Sequence, residues 1–321
     1  ERIHHPQLCR NLKSLVMSCN DLGASSFHGI MDAMYRAPCL PLEELDLSVN
    51  CLGADGGSSV APLTVYLGRV QGAAGGPGHR IRVLNLRACM LGDNGAMTLA
   101  AGLPSASTIQ ELDLSENLIG DSGVKAITKT LKAGCNMELS HLSLAYNNIG
   151  RKGVHLIGSM LESESQALRF LDLSWNPHVG QAGMERLALS LLDNSTLEEL
   201  RLEACEIGDG AIEAIVLLSW VNTGLQVLRL QTNEFTLHGK RRLWGLLKCR
   251  SSAGGNRGSP QRKPGPADRL PSPSRSGISL TVEELAERVR AGRRGEGRHE
   301  RPGSGQKRGF LPPITRDGPY C

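Results

Sequence analysis

The stretch IQELDLSENLIGDSGVKAITKTLK, Ile109 to Lys132, changes its hydrophobic period half-way. In its first part Leu112 and Leu114 alternate with polar neighbours, the two-residue spacing of a strand with one buried face. After Asn117 and Gly120, the residues Gly123, Ile127 and Leu131 fall four apart, which is the spacing of a helix with one buried stripe. A single strand and a single helix cannot close a core, so such a unit is stable only against copies of itself.

The copies are present. The pattern L-x-x-L-x-L-x-x-(N/C)-x-L-G occurs eight times: LKSLVMSCNDLG from Leu12, LEELDLSVNCLG from Leu42, IRVLNLRACMLG from Ile81, IQELDLSENLIG from Ile109, LSHLSLAYNNIG from Leu139, LRFLDLSWNPHVG from Leu168, LEELRLEACEIG from Leu197 and LQVLRLQTNEFT from Leu225. Successive first positions are 30, 39, 28, 30, 29, 29 and 28 residues apart. The helical halves keep one phase: Gly153, Ile157 and Leu161 after Gly150; Gly183, Leu187 and Leu191 after Gly180. Ile30 and Met34 after Gly23, and Leu243 and Leu247 after Thr236, follow it too. The expected architecture is a stacked solenoid.

Asn20, Asn50, Asn117, Asn147, Asn176 and Asn233 stand where each strand ends. An amide there both donates and accepts, so a column of them satisfies the backbone of adjacent turns. Cys89 and Cys205 hold the same rung in two units, where a thiol packs and donates weakly.

These residues resemble the leucine-rich repeats of the ribonuclease-inhibitor type, and the resemblance covers residues 12–248. It implies an α/β solenoid: a right-handed horseshoe with a parallel β-sheet on the concave side and helices on the convex side. It also implies an intracellular, non-enzymatic protein that binds other proteins. Related readings within the family are a GTPase-activating regulator similar to the Ran GTPase activator, and the ligand-sensing end of a NOD-like receptor. The activators carry an acidic segment after their repeats, whereas the chain is basic there. Three units depart from the pattern. The second has about ten extra residues, placed between Gly68 and Arg80, where QGAAGGPGH reads as a flexible surface loop. The sixth carries Pro177-His178, one residue more than its neighbours, and the seventh has Gly210 one place early.

Composition agrees with an aliphatic interior. The chain has 321 residues, 40% hydrophobic but only 3% aromatic, with a mean hydropathy of −0.20 and a net charge of +4. Its 38 Gly have no three-residue period, which excludes collagen. The longest apolar run, near 211–221, is broken by Glu213 and too short for a bilayer. Nine Cys without a CxxC pair fit free thiols in a reducing compartment, the cytoplasm or the nucleus, although Asn194-Ser195-Thr196 is a glycosylation-type triplet. The N-terminus shows no signal peptide, and a first residue Glu1 rather than Met reads as a fragment.

Catalytic and cofactor readings fail on inspection. Gly120-Asp121-Ser122-Gly123 looks like a serine nucleophile turn, but Gly92-Asp93-Asn94-Gly95 and Gly150-Arg151-Lys152-Gly153 occupy the same phase in neighbouring units. Ser122 therefore reads as a residue that opens a helix. No phosphate-binding glycine loop follows a strand. The His residues are scattered apart from His4-His5, so no metal, no cofactor and no small-molecule substrate is expected.

The sheet face remains. Strand alternation sends outward Lys13, Val16 and Ser18; Glu44, Asp46 and Ser48; Arg82, Asn85 and Arg87; Glu111, Asp113 and Glu116; His141, Ser143 and Tyr146; Phe170, Asp172 and Trp175; Glu199, Arg201 and Glu203; Val227, Arg229 and Gln231. Tyr146, Phe170 and Trp175 are three of only eleven aromatics and fall on adjacent rungs. Aromatics flanked by charge make binding hot spots. The expected protein-binding residues are Tyr146, Phe170, Asp172, Trp175, Glu111, Asp113, Glu116, His141, Arg201 and Glu203. Tyr146 and Trp175 would anchor a partner, while Asp172, Glu111 and Asp113 select its basic groups.

The domain boundary falls at 248. Residues 249–321 hold 15 Lys/Arg against 7 Asp/Glu, and residues 1–248 hold 21 against 25. The basic Pro/Gly/Ser/Arg-rich tail is expected to be disordered. One segment inside it, over 281–291, has helix signals: Thr281 with Glu284 as a capping box, Val282, Leu285 and Val289 on one face, and Gly292 as a stop. The tail lacks interleaved aromatics, so nucleic-acid reading is disfavoured, and folding back onto the acidic repeats is the other expectation.

Overall fold

Each L-x-x-L-x-L segment forms a strand of three residues, and each is followed by a helix. The strands are β1 (Ser14–Val16), β2 (Glu44–Asp46), β3 (Val83–Asn85), β4 (Glu111–Asp113), β5 (His141–Ser143), β6 (Phe170–Asp172), β7 (Glu199–Arg201) and β8 (Val227–Arg229). The helices are α1 (Ala24–Arg36), α2 (Ala61–Leu67), α3 (Gly92–Gly102), α4 (Asp121–Lys132), α5 (Arg151–Leu161), α6 (Gly180–Ser190), α7 (Ile212–Val221) and α8 (Leu237–Ala253). This computed structural model describes residues 11–36, 40–68, 80–133, 138–163 and 167–253.

The strands form one unclosed parallel sheet in chain order, β1 to β8. Register is uniform, because Leu15, Leu45, Leu84, Leu112, Leu142, Leu171, Leu200 and Leu228 are successive partners. A slip of one residue would carry every one of these leucines to the solvent face. The helices form the second layer, each against the next. Between the layers lie the strand leucines and the helix residues picked out by period, among them Ile127, Ile157 and Leu187, all fully buried. Burying one such side chain contributes about 1.5–3 kcal/mol, so the aliphatic rungs supply the driving force without aromatics.

The asparagine column forms as expected. Asn147 Oδ1 accepts the N–H groups of Asn117 and Ile119 at 3.1 and 2.9 Å, and its Nδ2 donates to the carbonyls of Leu114, Leu144 and Ala145. Asn50, Asn117, Asn176 and Asn233 repeat this bracing. The Cys89 and Cys205 thiols donate to Leu47 and Leu173 carbonyls at 3.2 Å, and burial pushes both pKa values up to about 12.

The irregular units show where their extra chain goes. In the second unit part of the surplus precedes the helix: Gly56 and Gly57 take φ of 80° and 90°, and a turn of 3-10 helix, Ser58–Val60, leads into α2. A side chain at Gly57 would meet the backbone of Gly95, so the two coils touch there through glycine. The seventh unit, with its shifted Gly210, enters α7 through a 3-10 turn, Asp209–Ala211. Helix α8 runs to Ala253, past the boundary expected at 248. The loop QGAAGGPGH, the expected disorder of the tail and the segment 281–291 lie outside the described residues. No described helix is long and apolar enough to cross a membrane.

Candidate protein-binding face

Strand alternation places the third and fifth residues of each motif on the open sheet face, which gives two columns. In the first, His141, Phe170 and Glu199 are register partners. The rings of His141 and Phe170 stack at 5.5 Å between centroids, and Arg201 Cζ lies 4.7 Å from the other ring contact point, the Phe170 centroid. In the second column, Asp46, Asp113 and Asp172 each use Oδ1 to accept the N–H two residues on, from Ser48, Ser115 and Ser174, at 2.8–2.9 Å. Each of these carboxylates thus closes its own turn and keeps its second oxygen for other contacts.

Tyr146 and Trp175 reach the face by another route than strand alternation. They occupy the eighth motif position, beyond the ends of β5 and β6. Cys19, Val49, Ala88, Glu116, Tyr146, Trp175, Ala204 and Thr232 all stand at this position, and all have φ between 52° and 60°. A non-glycine residue in this region costs roughly 1–2 kcal/mol. The turn is held because the N–H here donates to the next unit: Tyr146 to the Ser174 carbonyl at 2.8 Å, Trp175 to that of Glu203 at 2.7 Å. Tyr146 and Trp175 therefore repeat at the sheet's own spacing, about 4.7–4.9 Å. Their rings stack at 4.9 Å with an interplanar angle of 9°. Tyr146 is 44% exposed and Trp175 half-buried.

Ser48, expected on the open face, is instead buried, as are Ser115 and Ser174 at the same motif position. The left-handed turn that follows folds this position under its neighbours, and the Ser115 and Ser143 hydroxyls bond each other at 2.6 Å.

Charge is arranged around the aromatic centre. Arg87 donates through Nε and Nη2 to Glu116 Oε1 at 3.1 and 2.6 Å, so Glu116 is paired, and this bond raises the Arg87 pKa. Being half-exposed, the pair contributes about 0–1 kcal/mol. Burial, and then the Glu116 carboxylate, raise the pKa of Tyr146; Arg87 opposes them, while Asp172 and Glu203 add to the rise. On the other side Arg201 Nε donates to Glu199 Oε1 at 2.7 Å and Arg229 Nε to the same oxygen at 3.0 Å. These bonds, that of Arg201 first, hold the Glu199 carboxyl below its ordinary pKa. Arg201 also lies 3.8 Å from Asp172. Glu111 and His141 are exposed register partners, and Glu203 is half-buried.

All ten expected residues thus lie on β4 to β7 or the turns that follow them. Arg87, Glu199 and Arg229 were read as facing outward but not as part of the site. Their signal was an opposite charge 29 or 30 residues away, one coil along. Ser122 is the exposed second residue of α4, and among the described residues no group of three His, Cys, Asp or Glu could hold a metal.

The family model described as "Leucine Rich repeat" matches residues 8–26, 39–61, 105–127, 135–158, 164–188 and 193–216. Ribonuclease inhibitor from Sus scrofa is 26% identical over 292 residues, covering 74% of this chain and 62% of that protein. The chain is a leucine-rich repeat protein of the ribonuclease-inhibitor type. NACHT, LRR and PYD domains-containing protein 5 from Homo sapiens is 26% identical across 78% of the chain and 24% of its own length. Tonsoku-like protein from Bos taurus is 30% identical across 74% of the chain and 19% of its own length. The leucine-rich repeat chain therefore spans less than two thirds of each of these relatives.

Proposed function

We propose that this protein is an interaction scaffold that binds a protein partner across the open face of its sheet, centred on the fifth and sixth units. The observation that carries the reading is the Tyr146–Trp175 stack, held on a rigid ladder with carboxylates on both sides. Aromatic anchors on a pre-formed surface lose little freedom on binding, so their contact area is converted efficiently into affinity. Asp172, Asp113, Glu111 and Glu203 favour a partner with basic side chains near the centre. Glu116 and Arg201 already have partners, so they shape the surface more than they select charge. Phe170 and His141 extend the apolar strip along the next column.

In this reading residues 1–248 are the binding domain and 249–321 a tail, no chemistry is performed, and no cofactor or small substrate is involved. Thiols as protonated as Cys89 and Cys205 suit the reducing cytoplasm. The relative named ribonuclease inhibitor is similar across most of the chain, and a protein as ligand follows that likeness.

The test is the affinity of an identified partner for the Tyr146→Ala, Trp175→Ala double variant, with its fold checked by circular dichroism. Loss of about 2 kcal/mol or more, roughly 30-fold, is expected for removal of central anchors. Unchanged affinity in a folded variant contradicts the reading.

A further inference from the structure

The last coil is built like the others but is left open on its outer side. β8 is the final strand of the sheet and pairs only with β7 among the described residues. Leu200, Leu202 and Ile207 of the seventh unit are fully buried and Ile215 of α7 is 2% exposed. Their counterparts one coil on, Leu228, Leu230, Phe235 and Leu243, are only partly buried, and Val227 is 37% exposed. The same side chains that are core everywhere else thus border solvent at this end. A solenoid ends stably only where a polar-faced element covers its final apolar rung.

The chain itself supplies a candidate cover. The residues after Ala253 contain no further L-x-x-L-x-L motif, and one segment there has helical apolar periodicity: Val282, Leu285, Ala286 and Val289. Its length, about 16 Å as a helix, suits one coil end, and the 254–280 connection can span roughly 30 Å. Charge also matches. Glu283, Glu284 and Glu287 are concentrated in this segment, while the last coil exposes Lys240 and Arg241 on α8 and carries Arg229 on β8. A helix this short is marginal alone and needs an apolar surface to form.

We propose that residues 281–291 fold as a helix against the open end of the eighth unit and cap the solenoid, with Val282, Leu285 and Val289 over Leu228, Leu230 and Leu243. This goes beyond the binding reading and does not depend on it, because the cap lies at the end of the sheet.

The experiment is amide hydrogen exchange on the full chain, wild type against Leu285→Glu, Val289→Glu. The substitutions lie outside the repeats, and exchange in β4 and β5 reports whether the repeats remain folded. The cap predicts protected amides at 281–291 in the wild type. In the variant it predicts faster exchange there and in β8 and α8, by about tenfold or more, with β4 and β5 unchanged. Amides at 281–291 exchanging at unstructured rates in the wild type would overturn it, as would β8 and α8 protection that the substitutions leave intact. Sedimentation that shows a dimer, with β8 protection lost on dilution in both proteins, would assign the end to a second copy and equally overturn it.

Discussion

Asn147 is buried among backbone groups of two coils, accepting two N–H donors and reaching three carbonyls. Removing its amide leaves several of these groups without partners, each costing about 1–3 kcal/mol, so Asn147→Ala should destabilise by about 2–4 kcal/mol in denaturant unfolding. A change below about 0.5 kcal/mol would mean that water replaces the amide. The thiols on the same rung give a second check. Cys89 and Cys205 are buried with pKa values near 12, so alkylation at pH 8 followed by peptide mapping should find them unmodified in the native protein, while exposed Cys19 reacts. Equal labelling of all three would contradict the burial. The asparagine rung was legible in the sequence because its period is that of the leucines. The placement of Tyr146 and Trp175 was legible only in outcome. Alternation stops at the strand end, and these rings reach the face through a left-handed turn that no residue type announces, since Cys, Val, Ala, Glu, Tyr, Trp and Thr all occupy it.

Among the elements, the helix starts hold a device that the glycines only half disclosed. Asp93 Oδ1 accepts the N–H groups of Gly120 and Gly123 at 2.8 Å, capping α4 from the unit before, and Asp121 does the same for Gly150 and Gly153 of α5. Asp209 binds the Thr236 N–H ahead of α8, and its hydrogen bonds with Thr236 lower its pKa. Glycine is needed at the third helical position because a Cβ on Gly153 would lie 2.6 Å from the Asp121 carboxylate. The repeated G-D-x-G phase was visible, but a bond to the following coil could not be read from one unit. Asp121→Ala should cost about 1 kcal/mol by thermal or denaturant unfolding, as loss of a cap does. Gly153→Ala should also destabilise, although alanine normally favours a helix, and the double variant should cost less than the sum. Strict additivity would show that the two positions do not meet. At the sheet, Glu199 has a folded pKa below its unfolded value of about 4.3, so its bonds to Arg201 and Arg229 stabilise above that pH and fade as pH falls through the folded value. The stability difference between wild type and Glu199→Gln should therefore shrink on acidification, and a difference independent of pH would contradict the pairing.

For the whole molecule, the fold was set by a period that recurs eight times, and the structure adds few surprises to it: a longer turn before α2, a 3-10 approach to α7, and a last helix that continues to Ala253. The candidate site was legible as a set of positions rather than as a set of free groups. The sequence could not show that Glu116 is held by Arg87, or that Glu199 gathers two arginines, because those pairs join residues a full coil apart. What distinguishes the central units is a flat aromatic pair on a rigid wall, and the account stands on that pair meeting a partner. Hydroxyl-radical labelling of the full chain, free and bound to an identified partner, measures this most directly. The account predicts that oxidation of Tyr146 and Trp175 falls sharply in the complex while the outer helix residues Lys125 and Lys129 stay as accessible as before. Unchanged oxidation of the two rings, with protection on the helices instead, would contradict it.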